Sequence, residues 1–214
     1  RQRQMCIRDR EMAAATDYDG KIYLEEKGRM ATSPNGNGGW YISLKKAGLT
    51  QVLENNGIEW LNVFAVDNVL QRIADPVFIG ATIEKHCAVG SKVVRKAAPD
   101  EKVGVMCLED GKPSIVEYYE LTKEMMDAKN SKGDPAYNFG VILNYLFRVS
   151  DLETIVGKNL PLHIVEKKIP YINADGNLIK PEKPNGYKFE GLVLDMIHEL
   201  DLSLIHISEP TRPL

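Results

Sequence analysis

Apolar and polar residues follow one another along this chain in runs of changing period, and each change marks an element. DYDGKIYLEE (17–26) reads as a tight Asp-Gly turn followed by a short strand. SPNGNGGWY (33–41) is a bare, glycine-rich stretch. The residues after it, WYISLKKAGLTQVLENNG, are mostly helical in composition and stop at Asn55-Asn56-Gly57 on a left-handed residue. IEWLNVFAVDN is a short apolar run, rich in β-branched and aromatic residues, that ends abruptly at Asp67-Asn68. It predicts a buried strand with polar residues at its C-terminal end. A helix is expected over about 77–88, then two strands around Asp110-Gly111, a hairpin signal. A helix over 121–129, a strand over YNFGVILNYLF (137–147) and a helix over 150–157 follow. Residues 167–188, KKIPYINADGNLIKPEKPNGYK, hold three of the eleven prolines and should form an extended, turn-rich excursion. Beyond them Phe189, Leu192, Val193, Met196, Ile197 and Leu200 recur at offsets of 3, 4, 7, 8 and 11, one face of an amphipathic helix. Strands alternating with helices predict α/β architecture, and no internal repeat is visible.

Bulk properties narrow this picture only a little. The 214 residues suit one domain or one and a half, with 43% hydrophobic and 27% charged residues, an ordinary globular balance. A formal net charge of −3 gives no general pull toward nucleic acid or anionic lipid. No apolar run reaches the roughly 18 residues of a membrane span. Cysteines stand at 6, 87 and 107 and histidines at 86, 163, 198 and 206, none at metal-ligand spacing. The expectation is a reduced, cytoplasmic protein without zinc, in which Cys87 and Cys107 are small core residues.

The ends differ from the body. RQRQMCIRDR (1–10) has no periodicity, and SLIHISEPTRPL (203–214) breaks an amphipathic pattern in mid-course. Both resemble translated adapter DNA. The organisation expected is therefore a foreign tail over 1–10, a partial domain over 11–202 and a second foreign tail over 203–214.

Four features could carry chemistry. The glycines of SPNGNGGWY make a plain turn, or let backbone approach a ligand closely, with Asn37 offering a donor and an acceptor. Asp67, at the end of a strand, is a turn or capping residue, or it holds a divalent ion bridging phosphate oxygens. Glu117 and Tyr118, on opposite faces of a strand, put the glutamate at a solvated edge or against a partner. Lys188 is a solvated lysine or a point charge on phosphate.

Taken together, DGKIYLEEKG, SPNGNGGWY, AVDNVLQRIADPVFIG, the VGV of 103–105, VEYYE, KKIPY and LIKPEKPNGYK resemble the eukaryotic-type UDP-N-acetylhexosamine pyrophosphorylases. The likeness runs through most of residues 15–200. It implies a Rossmann-like nucleotidyltransferase fold of the GT-A type, a mixed α/β sheet flanked by helices, here incomplete. It implies an enzyme that joins UTP to N-acetylglucosamine-1-phosphate with Mg2+ and releases pyrophosphate. Related uridylyltransferases that prefer glucose-1-phosphate usually have a histidine in place of Asn37. The resemblance places Gly36 and Asn37 beside nucleotide and sugar, Asp67 by the phosphates and metal, Glu117 and Tyr118 on the sugar, and Lys188 on substrate. Gly104, in the VGV run, and Asn138 join the substrate-binding set, and no residue is assigned as catalytic. Asn37 and Asp67 are expected to face one cleft.

Some positions depart from the family pattern. Where relatives read F-N-x-G-N, this chain has Tyr137-Asn138-Phe139-Gly140-Val141, so Val141 replaces an asparagine that contacts sugar. Leu192 and Leu194 replace aromatics that shape an acetyl pocket. The family's G-x-G-T-R-type UTP loop and its S-P-L-K-N-type lysine are expected to lie outside this sequence. The chain alone is therefore expected to be poorly soluble, through an open edge on WLNVFAV, and without turnover. The rival readings are a UDP-sugar pyrophosphorylase for another sugar, a nucleotide-sugar-binding module, and a structural α/β domain.

Overall fold

The structure, a computed structural model, describes residues 12–158, 160–200 and 203–207. It divides into two compact units: Arg1–Glu54 with Lys158–Met196, and Asn55–Gly157 with Ile197–Leu214. The first tail set aside above, and the second beyond residue 207, lie outside the described residues, as does Cys6.

The second unit is built on one mixed sheet of six strands. Val89–Arg95 is buried along nearly its whole length, as suits a central strand, although Ser91 and Lys92 interrupt its apolar residues. Ser203–Ile207 runs parallel to it on one side, within the segment read as a tail. On its other side lies the ten-residue strand Phe139–Arg148, antiparallel. The far edge of that long strand serves two partners in turn: Trp60–Phe64 along its C-terminal half, and Val105 opposite Gly140. Val105–Glu109 then turns back into Lys112–Val116. Asp110 and Gly111, with φ of 50° and 79°, make the two left-handed residues that a two-residue hairpin needs. Helix Pro76–Glu84 opens on an Asp75 cap that accepts from the Val77 N–H, with proline in the first turn. Val89, Val93, Val105, Leu146, Phe147 and Leu152 fill the core. Trp60–Phe64 is half-buried along its whole length, not buried as the apolar run predicts. Among the described residues it pairs on one edge only, which leaves it a border strand.

Between Ser91 opposite Tyr145 and Val93 opposite Val141, three residues of the long strand face the single residue Lys92. This bulge holds Leu143 at a φ of 48°. It falls where the long strand exchanges Trp60–Phe64 for Val105, and Leu143 there accepts the Ala65 N–H at 3.1 Å.

Among its described residues the first unit has no comparable sheet. Its strands form two-stranded ribbons: Met12–Ala14 with Thr32–Pro34, Leu24–Glu26 with Arg29–Met30, His163–Lys167 with Gly186–Glu190, and Tyr171–Ile172 with Leu178–Ile179. Side chains tie them together. Asn185 accepts the Ile169 N–H at 2.7 Å and donates to Ile169 O and Tyr23 Oη, each at 3.1 Å. Asp17 closes the predicted turn by accepting from the N–H groups of Asp19 and Lys21. The excursion over 167–188 is non-helical, as the prolines require.

The amphipathic helix predicted after Lys188 is mostly not a helix. Gly186–Glu190 is a strand, and only Asp195–His198 is helical. Val193, Met196, Ile197 and Leu200 are buried as the period demands, but so are Leu194 and Asp195 on the opposite face. Gly191 is held extended by a parallel bridge to Gly36, which forbids a helix there.

Candidate functional site

Within the second unit, sheet geometry brings three sequence-marked positions together. Val141, just before the bulge, donates its N–H to Gly104 O at 2.9 Å. A side chain built on Gly104 would come within 3.2 Å of Val141 Cγ2 and 3.4 Å of Glu117 Oε1. Gly104, Glu117 and Val141 thus form one tight cluster. Glu117 is half-buried and stands immediately past Lys112–Val116, not on the strand that the sequence predicts for it. Burial pushes the Tyr145 phenol well up from its usual range, and the Glu117 carboxylate adds to the rise. Tyr118 follows in the turn, 41% exposed and edge-on to Tyr119 at 5.2 Å. Asn138 is half-buried at the start of the long strand, and its carbonyl accepts the Lys96 N–H.

Asp67 lies on the exposed loop that leaves Trp60–Phe64, two residues past Ala65 and its bulge contact. The local turn is made by its neighbour: Asn68 Oδ1 accepts the Leu70 N–H at 3.2 Å. Among the described residues no three carboxylate, imidazole or thiol side chains gather as a metal site. A single exposed carboxylate still fits Mg2+, which keeps most of its shell from water and phosphate oxygens. The loop is pinned at its far end. Asn62 donates to Asn144 Oδ1 at 3.0 Å and Tyr145 O at 2.9 Å, and accepts from Ala74 N–H at 3.2 Å. Next to it, buried Lys92 donates to Asp75 at 2.5 Å. That bond holds the Asp75 carboxyl below its ordinary range.

The first unit carries Gly36, Asn37 and Lys188. Gly36 has a φ of 88°, and a Cβ there would stand 2.2 Å from Gly191 O. Gly38 donates to Gly191 O at 2.8 Å, and a Cβ on it would meet Leu192 backbone at 2.9 Å. The glycines therefore let two stretches of this chain's own backbone touch. Asn37 Oδ1 accepts the Val193 N–H at 2.8 Å, which fixes the amide's orientation and turns its N–H donors elsewhere. Lys188 sits half-buried in strand Gly186–Glu190 opposite Val165, not at the end of a loop. Leu192 and Leu194 flank Val193 on the segment that Asn37 holds.

Sequence reading missed Gly191, His163 and Asp195. His163 Nε2 lies 3.0 and 3.2 Å from the two Asp195 oxygens, and Asp195 also accepts the Leu192 N–H at 3.0 Å. A histidine 32 residues from its aspartate leaves no spacing signal.

Comparison with known proteins bears on this arrangement as a whole. The UTP–glucose-1-phosphate uridylyltransferase family matches residues 11–192. The human UDP-N-acetylhexosamine pyrophosphorylase-like protein 1 is 42% identical over 191 residues, 88% of this chain and 38% of its own length. The UDP-N-acetylglucosamine pyrophosphorylase of Saccharomyces cerevisiae is 36% identical over 203 residues, 92% of this chain and 43% of its own. A crystal structure from Entamoeba histolytica, of a protein assigned as a UDP-N-acetylglucosamine pyrophosphorylase, superposes with a TM-score of 0.83 at 34% identity. It covers 93% of this chain and 50% of that one. The chain spans about two fifths of the length of the curated relatives it matches. Its mixed α/β sheet is that of the nucleotidyltransferase structure, and the match runs through nearly all of its sequence: the chain belongs to the UTP–glucose-1-phosphate uridylyltransferase family.

Proposed function

We propose that this chain is the sugar-binding part of a uridylyltransferase that joins UTP and N-acetylglucosamine-1-phosphate, releasing pyrophosphate, in the cytoplasm. The observation that carries the reading is the convergence of Gly104, Glu117 and Val141 in a chain whose relatives are named for N-acetylhexosamine substrates. Glu117 is placed to accept from sugar hydroxyls, and Tyr118 to lie beside the ring. Gly104 leaves the room a side chain would fill. Asn37, its oxygen committed to Val193, presents N–H donors to ligand oxygens. Lys188 supplies a positive charge toward substrate. Asp67 would hold Mg2+, which neutralises charge between the phosphates when bound.

The test is pyrophosphate release by the longest polypeptide carrying this sequence, with UTP, N-acetylglucosamine-1-phosphate and Mg2+. Asp67→Asn should lower turnover by about 10²- to 10³-fold while shifting stability by no more than about 0.5 kcal/mol, because Asp67 is exposed and caps nothing in its turn. Normal turnover in a stable variant would return Asp67 to a surface role. Titration of this chain with UDP-N-acetylglucosamine separates binding from turnover. Uptake without turnover favours a nucleotide-sugar-binding module, and no uptake of any uridine ligand removes the reading.

A further inference from the structure

We infer that His163 and Asp195 are positioning residues: they lock the Leu192–Val193 main chain so that Asn37 is held with its N–H donors toward ligand. The ligand half of this inference rests on the function proposed above. The main-chain half rests on geometry alone.

Three consecutive N–H groups in the Gly191–Val193 segment each meet a different partner. Gly191 donates to Asn35 O at 2.8 Å, Leu192 to the Asp195 carboxylate at 3.0 Å, and Val193 to Asn37 Oδ1 at 2.8 Å. The middle bond is reciprocal, since Asp195 donates its own N–H back to Leu192 O at 3.2 Å. Residues 192–195 are thereby closed in both directions, once through the Asp195 side chain and once through its main chain. The Asp195 carboxylate is 6% exposed and the His163 side chain 11% exposed. An ionised carboxylate only accepts, so the Nε2 facing it carries the proton. His163 begins the ribbon strand His163–Lys167, opposite Glu190, and so brings Asp195 a donor from outside the segment. Without that donor the carboxylate is free to rotate away from Leu192. The neighbouring Val193 N–H, which sets the orientation of Asn37, then loses its fixed place.

The test uses the 214-residue chain and its variants His163→Ala, His163→Gln and Asp195→Asn. Two readouts are taken: amide hydrogen exchange at Leu192 and Val193, and titration with UDP-N-acetylglucosamine. In His163→Ala, exchange at Leu192 and Val193 should rise about five- to tenfold, with strand Val89–Arg95 and ribbon Gly186–Glu190 unchanged. Affinity for UDP-N-acetylglucosamine should fall about three- to tenfold. His163→Gln, which restores a side-chain N–H, should recover most of both. If His163→Ala does not fold, Asp195→Asn decides. Its single carboxamide oxygen cannot serve Leu192 and His163 as the two carboxylate oxygens do, so exchange at Leu192 should rise. Unchanged protection at Leu192 and Val193 in a folded variant overturns the inference. So does an equal loss of protection throughout the unit, the mark of a merely structural pair. If exchange changes as stated while the wild-type chain takes up no UDP-N-acetylglucosamine, the sugar-nucleotide reading fails and the main-chain lock stands.

Discussion

The two units of this chain hold their candidate site residues in opposite ways. In the second unit a six-stranded sheet does the holding: Gly104, Glu117 and Val141 meet because of register, and a bulge decides where the register changes. In the first unit the sheets have two strands each, and ribbons of that size are marginal alone. There the site is set by backbone packed on backbone at Gly36 and Gly38, and by side chains that clamp N–H groups, Asn37, Asn185 and Asp195 among them. The lesson is that the first unit should be brittle at its glycines and polar clamps, whereas the second should be brittle where charge is buried under its sheet.

The largest effect is expected from Gly36→Ala. The new methyl meets a carbonyl oxygen at 2.2 Å in a left-handed backbone, and neither side is a flexible chain end. A loss of about 4 kcal/mol or more should follow, and exchange protection in the first unit should collapse while strand Val89–Arg95 keeps its own. Gly39→Ala is the control, because nothing stands within 4 Å of that site. Equal, small losses in both variants would show that the ribbons yield easily and that the contrast between the units is false.

Lys92→Met is next. It leaves Asp75 buried without its cation, at a cost of about 3–5 kcal/mol, and Asp75→Asn in the same chain should recover most of the loss. The same pair gives the second unit an acid sensitivity. Lys92 holds the folded Asp75 carboxyl below its unfolded value of about 3.9, so the bond stabilises the unit above that pH. The contribution is lost as pH falls through the folded pKa. Unfolding followed from about pH 5 down to about pH 3 should show the loss, and Asp75→Asn should flatten it. A wild-type curve as flat as the variant's would mean that the pair contributes nothing to the second unit.

What could be read from sequence follows the same division. The second unit was legible where local signals decide: the Asp110-Gly111 hairpin and the strand before Asp67, while the helix expected over about 77–88 runs over Pro76–Glu84 behind an Asp75 cap that the sequence reading did not name. The bulge at Leu143 was not legible, because it answers a change of sheet partner and leaves no local mark. In the first unit the sequence marked the glycine-rich stretch as a turn or a place of close backbone approach to a ligand, and the close approach the structure shows is to the chain's own backbone. That contact with Gly191 was invisible, however, since it joins residues more than a hundred positions apart. The helix expected after Lys188 failed for a related reason. Its apolar period is real, but Gly191 is committed to a bridge, and periodicity does not register such commitments. His163 and Asp195 are long-range partners in the same sense.

A smaller effect sharpens the comparison at the sheet cluster. Val141→Asn puts a carboxamide beside Glu117 and Gly104 without moving the bulge. Stability should fall by about 1 kcal/mol or less, because the position is half-buried. If Glu117 faces the sugar, affinity for UDP-N-acetylglucosamine should rise about two- to tenfold, the worth of one or two hydrogen bonds. The same substitution should leave Leu192 and Val193 exchange untouched. An unchanged affinity in a folded variant would separate this cluster from the sugar.

The smallest effect on stability is expected from the loop after Trp60–Phe64, and it distinguishes two sources of self-association. Val66 and Val69 are each 87% exposed and Ile73 is 67% exposed, a concentration of apolar surface on one short loop. The strand before that loop is also a border strand whose outer edge is unpaired among the described residues. Val66→Lys with Val69→Lys removes the apolar surface and leaves the strand edge as it is. Such exposed positions should change stability by no more than about 0.5 kcal/mol. If the loop drives association, sedimentation of the doubly substituted chain should show smaller species at equal concentration. If the strand edge drives it, the distribution should stay as in the parent chain, and the open sheet of the second unit, not its loop, becomes the surface that needs covering.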